Sequence, residues 1–157
     1  MDHSAFDSYA FLVEADGKNL IYSGDFREHG RKPGAFRWFL EHASEDIDVL
    51  LLEGTVLDRG LKGKGVGEFK SETEIEDETV RLLEEGKKMT LLYFSAQNID
   101  RLVSFYRASL RGGKIFAIDF YTANILGCLK DYGEISYPSK CYALTSEFSS
   151  LTGCAGE

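Results

Sequence analysis

No apolar run in this chain approaches the roughly 18 residues that a membrane span needs, so no transmembrane helix is expected. The N-terminal stretch MDHSAFDSYAF carries neither the basic start nor the apolar core of a secretory signal, which makes the cytoplasm the expected location. Cysteine is scarce as well. Cys128, Cys141 and Cys154 are odd in number, form no C-x-x-C pair and have no histidine near them in sequence. That spacing speaks against a disulfide framework and against a cysteine zinc site, and for reduced thiols. Basic residues are outnumbered, 18 against 26 acidic ones, for a net charge of −8. A protein that coats nucleic acid with a basic surface is thereby disfavoured, while an enzyme with a local basic groove is not.

With 43% hydrophobic and 28% charged residues, the composition is that of a soluble globular protein. Its 157 residues suffice for one ordinary domain or for parts of two small ones. Charge is unevenly spread. Arg27, Arg31, Lys32 and Arg37 crowd one segment, and residues 68–85 are dominated by carboxylates. A basic cluster of this kind either holds a polyanion or is simply a solvated face.

The first part, residues 1–57, reads as a hairpin followed by a βαβ unit. Ser8 to Glu14 is apolar and β-prone, Asp16-Gly17 is a hairpin turn signal, and Asn19 to Tyr22 returns as a second strand. After the polar loop GDFREHGRKPG, Phe36, Phe39, Leu40 and Ala43 recur at helical spacing behind Pro33. Val49 to Leu52 reads as a short buried-type strand ending at Glu53-Gly54-Thr55. Residues 58–70 (DRGLKGKGVGEFK) have four glycines but no G-x-x-x-x-G-K-[ST] motif, and read as a flexible linker rather than a phosphate loop.

From Ser71 helix and strand alternate through residue 137. Ser71 and Glu74 form a capping box, with Ile75, Thr79, Leu82 and Leu83 as one helical face. Met89 to Phe94 is predicted as a strand, and Ile99, Leu102, Val103, Tyr106 and Leu110 mark the next helix. Ile115 to Ile118 is a further strand, and Ile125, Leu126 and Leu129 a further helix. Such alternation implies crossovers and a parallel sheet. Residues 138–157 show neither periodicity nor caps and read as an irregular tail.

Three residues could do chemistry: His3 in DHS, Asp25 in YSGDFR and Glu53 in LLLEGT. With Ala15 opposite Lys18 in the hairpin, Ser8 faces Asp25, and His3 lies at the same end. The strands ending before Asp25 and at Glu53 are joined by one helix and should run parallel. Both carboxylates then sit past the carboxyl ends of parallel strands, where open α/β sheets bind ligands. Taken singly, each has a plainer explanation. A histidine beside serine is ordinarily a loop residue, and an aspartate after Ser-Gly ordinarily a turn residue or cap. A glutamate ending an apolar strand needs a partner or solvent. His29 and His42 read as surface histidines.

The segment DHSAFDSYAFLVEADGKNLIYSGDFREHG, followed by DVLLLEGT, resembles the latter part of a metallo-β-lactamase domain. The run LLYFSAQNIDRLVSFYRASLRGGKIFAIDFYTANIL resembles the β-CASP insertion of RNA- and DNA-processing members of that superfamily. The likeness spans residues 2–137, with both blocks in the family's order. It implies an α/β protein: a partial metallo-β-lactamase fold joined to a partial β-CASP-like parallel α/β domain. It further implies that His3 binds one zinc, that Asp25 bridges two zincs, and that Glu53 orients a catalytic histidine. Two metals about 4 Å apart would activate a shared water against a phosphodiester, with RNA the implied substrate.

The sequence departs from that pattern in several respects, since the two β-CASP histidines expected downstream and the returning metallo-β-lactamase segment are missing. The family's H-x-H-x-D-H signature is absent, and none of the three histidines forms H-x-H. A catalytic zinc usually takes three protein ligands and an open position. His3 and Asp25 cannot supply two such sites, so the chain by itself is expected to be inactive, with zinc absent or weakly held. It is read as an internal fragment of a two-zinc hydrolase. The alternatives are a non-catalytic binding module or one half of a split enzyme, and, more distantly, a thioester hydrolase. Because only part of a sheet sandwich is encoded, self-association or pairing with an upstream segment is expected.

Overall fold

The structure is a computed structural model that describes residues 1–43, 45–54 and 69–130, together with the backbone of two short strands at 141–143 and 152–153. The expected linker falls almost wholly outside the described residues, as do the thiols of Cys141 and Cys154. Cys128 is a free, exposed thiol. The fold is mixed α/β and divides into two units, Met1–Thr73 and Glu74–Glu157.

In the first unit, β1 (Phe11–Ala15) and β2 (Lys18–Tyr22) form an antiparallel hairpin with Ala15 opposite Lys18. Asp16 and Gly17 both take positive φ, 50° and 69°, as a type I′ turn requires. Helix α1 (Pro33–His42) then leads to β3 (Val49–Leu51), which pairs parallel to β2. Pro33 starts the helix, where its missing N–H costs nothing. Phe36 stacks on Phe26 at 4.9 Å, while Trp38 and Leu40 stay exposed. The β1 strand is three residues shorter at its start than its sequence pattern suggests.

The entry to β3 is fixed by Asp48. Its carboxylate accepts from the Lys18 ammonium and, at 2.9 Å, from the Asn19 backbone N–H, while its own N–H donates to the Asn19 carbonyl. These contacts set the parallel register before the first ladder pair. The Lys18 bond, followed by the Asn19 N–H, holds the Asp48 carboxyl below its ordinary range. A depressed carboxyl contributes stability above its unfolded-state value and loses it as pH falls through the folded value. Thermal melts should therefore show an acid-side loss of stability, with a smaller slope in that window for Asp48→Asn than for the parent chain. Equal slopes would remove Asp48 from this role.

Successive residues of the sheet point to opposite faces, and both faces are open. Phe11, Leu12 and Val13 are each about half exposed, as are Leu50, Leu51 and Leu52. Only Ile21 and Ser23 are buried along the β2 run.

The second unit contains most of the described core. Helix α2 (Glu72–Glu85) begins just before it, and α3 (Ile99–Arg111), β4 (Phe116–Ile118) and α4 (Phe120–Lys130) follow. Leu102, Phe105, Phe116, Ile118 and Leu126 form one buried cluster, and Val80, Leu83 and Ala108 a smaller one. Asn98 caps α3 by accepting from the Arg101 N–H. On α3 the buried face takes in Ile99 and Leu102 of the predicted set and adds Phe105 and Ala108, with Tyr106 packed against the core and Leu110 exposed. The reason is that α3 packs on two sides, with Phe105 in the larger cluster and Ala108 against α2. Buried Glu76 on α2 adds an ionic tie to α3, meeting Arg107 at 3.3 Å and Arg111 at 2.9 Å.

Two expectations are corrected here. Residues 89–94 join no ladder. They run extended, with Leu92 and Phe94 turned to the core and Met89, Leu91 and Tyr93 turned out. The stretch beyond Pro138 is not wholly irregular. Strand β5 (Cys141–Ala143) pairs parallel to β4, and β6 (Thr152–Gly153) pairs antiparallel to β5. Three-residue pairings leave too short a pattern for periodicity to reveal. The sheet of this unit is mixed as a result.

Candidate functional site

The sequence-predicted group gathers at the end of the first unit's sheet, away from the hairpin turn. The β2–β3 pairing continues one step beyond the strands, where the Ser23 N–H donates to the Leu51 carbonyl at 3.0 Å. Fully buried Ser23 then receives the Glu53 backbone N–H on its hydroxyl at 3.3 Å and donates to the Gly24 carbonyl. Glu53 is thus held beside Ser23, two residues before Asp25, with its side chain half-buried.

Gly24 turns the chain with φ of 59°, and a Cβ there would lie 2.6 Å from the Tyr9 carbonyl oxygen. The close approach of these two backbones carries the hairpin's register past β1 and brings Asp25 to the N-terminal loop. There, His3 Nε2 lies 3.8 Å from Asp25 Oδ2. The imidazole is largely covered, at 27% exposure, and the carboxylate is open to solvent at 68%. The Ala5 N–H and the Ser8 hydroxyl both lie 3.3 Å from His3 Nδ1. Two contacts on Nδ1 orient the ring so that Nε2 faces the carboxylate.

The loop carrying His3 has its own anchor, which sequence reasoning missed. Asp2 is completely buried, and its carboxylate accepts the N–H groups of Gly30 and Lys32 at 2.9 and 3.1 Å. The Arg27 N–H donates to the Asp2 carbonyl at 2.8 Å. The residue before His3 therefore ties that loop to the segment after Asp25. No periodicity or spacing marks Asp2. The only available hint is a carboxylate beside a candidate ligand.

The basic cluster is partly neutralised. Arg27 turns inward to Glu72 at 3.6 Å, and Arg37 meets Glu28 at 3.2 Å. The two remaining histidines stack on aromatic rings, His29 on Phe69 and His42 on Trp38. Neither lies with His3.

No family model, curated protein or solved structure matches this chain. What the site can do must come from its own atoms. Zinc takes imidazole nitrogen and carboxylate oxygen at about 2.0–2.2 Å in tetrahedral geometry, so two ligands of one ion stand about 3.3–3.6 Å apart. The His3–Asp25 separation of 3.8 Å is slightly longer than that and long for a direct hydrogen bond. Metal on Nε2 requires the tautomer with the proton on Nδ1, whereas the Ala5 N–H donates to Nδ1 at 3.3 Å, which makes Nδ1 an acceptor and leaves the ring proton on Nε2 facing Asp25. The fit is partial. Among the described residues no group of three or more His, Cys, Asp or Glu comes together as a metal site. His3 and Asp25 account for two ligands.

Proposed function

We propose that this chain carries part of the dinuclear zinc site of a hydrolase resembling the metallo-β-lactamase superfamily, with a β-CASP-type insertion, that cuts RNA phosphodiester bonds. The observation that carries the reading is the approach of His3 Nε2 to Asp25 Oδ2, with Glu53 held on the same rim through Ser23. In this reading His3 and Asp25 are metal ligands and Glu53 a supporting residue. The zinc pair, when bound, would supply an activated water and steady the attacking and leaving oxygens. The remaining ligands would come from an H-x-H-x-D-H segment, which the sequence given does not contain.

The test is cleavage of an RNA oligonucleotide by a protein in which this chain is joined to such a segment. Asp25→Ala should lower the rate by at least about 100-fold, since even outer partners of a metal site are commonly worth 10- to 100-fold. RNA cleavage unchanged by Asp25→Ala would end the assignment.

A second reading, a binding module or half of a split enzyme, is favoured by the half-exposed apolar residues on both faces of the β1–β2–β3 sheet. Such faces are suited to a covering partner.

A further inference from the structure

Two groups reach His3 Nδ1, and they differ in what they can do there. The Ala5 N–H, at 3.3 Å, can only donate. The Ser8 hydroxyl, also at 3.3 Å, can donate or accept, and it has a second acceptor in the Ala5 carbonyl at 3.5 Å. The turn through Phe6 and Asp7 returns Ser8 to the ring, and Asp7 takes φ of 60° there. Left-handed backbone is uncommon for a residue other than glycine, and such conformations cluster at ligand sites.

With Ala5 donating, Nδ1 is an acceptor and the ring proton sits on Nε2, toward Asp25 Oδ2 at 3.8 Å. A ligating nitrogen needs a free lone pair, so in this state Nε2 is closed to a cation. Opening it places the proton on Nδ1, where it meets the Ala5 N–H, donor against donor. Of the two neighbours, only Ser8 can then accept.

We propose that Ser8 is the positioning residue that makes His3 available to a divalent cation. Its oxygen accepts Nδ1–H while its own O–H donates to the Ala5 carbonyl. Nε2 releases its proton to water and Nδ1 takes one from water, so the imidazole stays neutral. This role depends on the metal reading of the His3–Asp25 pair and adds a condition to it. Ser8 is dispensable in the metal-free ring, which the Ala5 N–H already holds, and required in the ring that binds metal.

Long-range nitrogen–proton NMR of isotope-labelled imidazole rings distinguishes the two tautomers. The sample is the full chain with its thiols alkylated, at mildly alkaline pH, titrated with zinc. Before zinc, the parent chain and Ser8→Ala should both carry the His3 proton on Nε2. Zinc should move it saturably to Nδ1 in the parent chain. Ser8→Ala should need at least about tenfold more zinc for the same change, the usual weight of a partner behind a metal ligand. Ser8→Thr keeps the hydroxyl and should recover most of the loss. A parent ring protonated on Nδ1 before zinc would overturn the proposal, as would equal zinc affinity in Ser8→Ala. A Ser8→Ala ring signature that differs from the parent before zinc would make Ser8 a structural loop residue, which also overturns it. All three results leave the metal reading standing. A parent His3 that zinc does not reach would remove that reading, and the role of Ser8 with it.

Discussion

Replacing Asp2 by alanine is expected to destabilise the first unit by about 2–4 kcal/mol, the cost of stranding buried donors and breaking a buried charged contact. The Asp2 carboxylate is wholly buried and receives two backbone N–H groups from the loop after Asp25. With alanine in its place, the N–H groups of Gly30 and Lys32 lose their acceptor, and the space left is small. Asp2→Asn should fall between the two, because an amide offers one acceptor oxygen where the carboxylate offers two. The same loop is tight enough that a Cβ on Gly30 would run into the Asp2 side chain. Denaturant unfolding of the three proteins measures the order directly. A loss under about 0.5 kcal/mol for Asp2→Ala, the range of an ordinary surface substitution, would mean the clamp contributes nothing.

Gly24→Ala should be comparably severe, and Gly17→Ala provides its control. Both glycines take positive φ, 59° and 69°. Either alanine should cost about 1–2 kcal/mol for the left-handed backbone alone. At Gly17 nothing lies within 4 Å of the added Cβ, so the cost should stop there. At Gly24 the Cβ meets the Tyr9 carbonyl oxygen at 2.6 Å, and backbone cannot swing aside as a flexible side chain would. The hairpin extension must open, and Asp25 must move away from His3. The expected result is a Gly24→Ala loss exceeding that of Gly17→Ala by about 1–3 kcal/mol, the range for overpacking a tight site. Equal losses would show that the Tyr9 approach is unimportant.

How much of this was legible in the sequence depended on whether the deciding interaction was local. Asp16-Gly17 dictates a turn type by itself, and that turn fixes Ala15 opposite Lys18, from which the approach of Asp25 to the N-terminal loop follows. The parallel β2–β3 pairing was readable because one intervening helix leaves little other choice. Residues 89–94 show where local pattern stops being enough. Their alternation is that of a strand, but a ladder needs a neighbour at the right distance, and the sequence of the segment says nothing about that. The buried face of α3 was legible only in part for a similar reason: Ile99 and Leu102 are buried as the spacing predicts, while Ala108 and Phe105 became core because α2 and β4 cover them. Asp2 and Ser23 were passed over because single polar residues of this kind acquire their roles only through partners far along the chain. Ser23 is bound to Glu53 and Asp2 to Gly30, each across about thirty positions.

The most direct test of the metal reading is a zinc titration followed by NMR of the histidine ring protons, on the chain with its thiols alkylated. Zinc at the His3–Asp25 pair should shift the His3 ring saturably and before those of His29 and His42, with affinity weakened at least about tenfold by Asp25→Asn. Simultaneous shifts of all three rings, or a His3 response unchanged by Asp25→Asn, would contradict it.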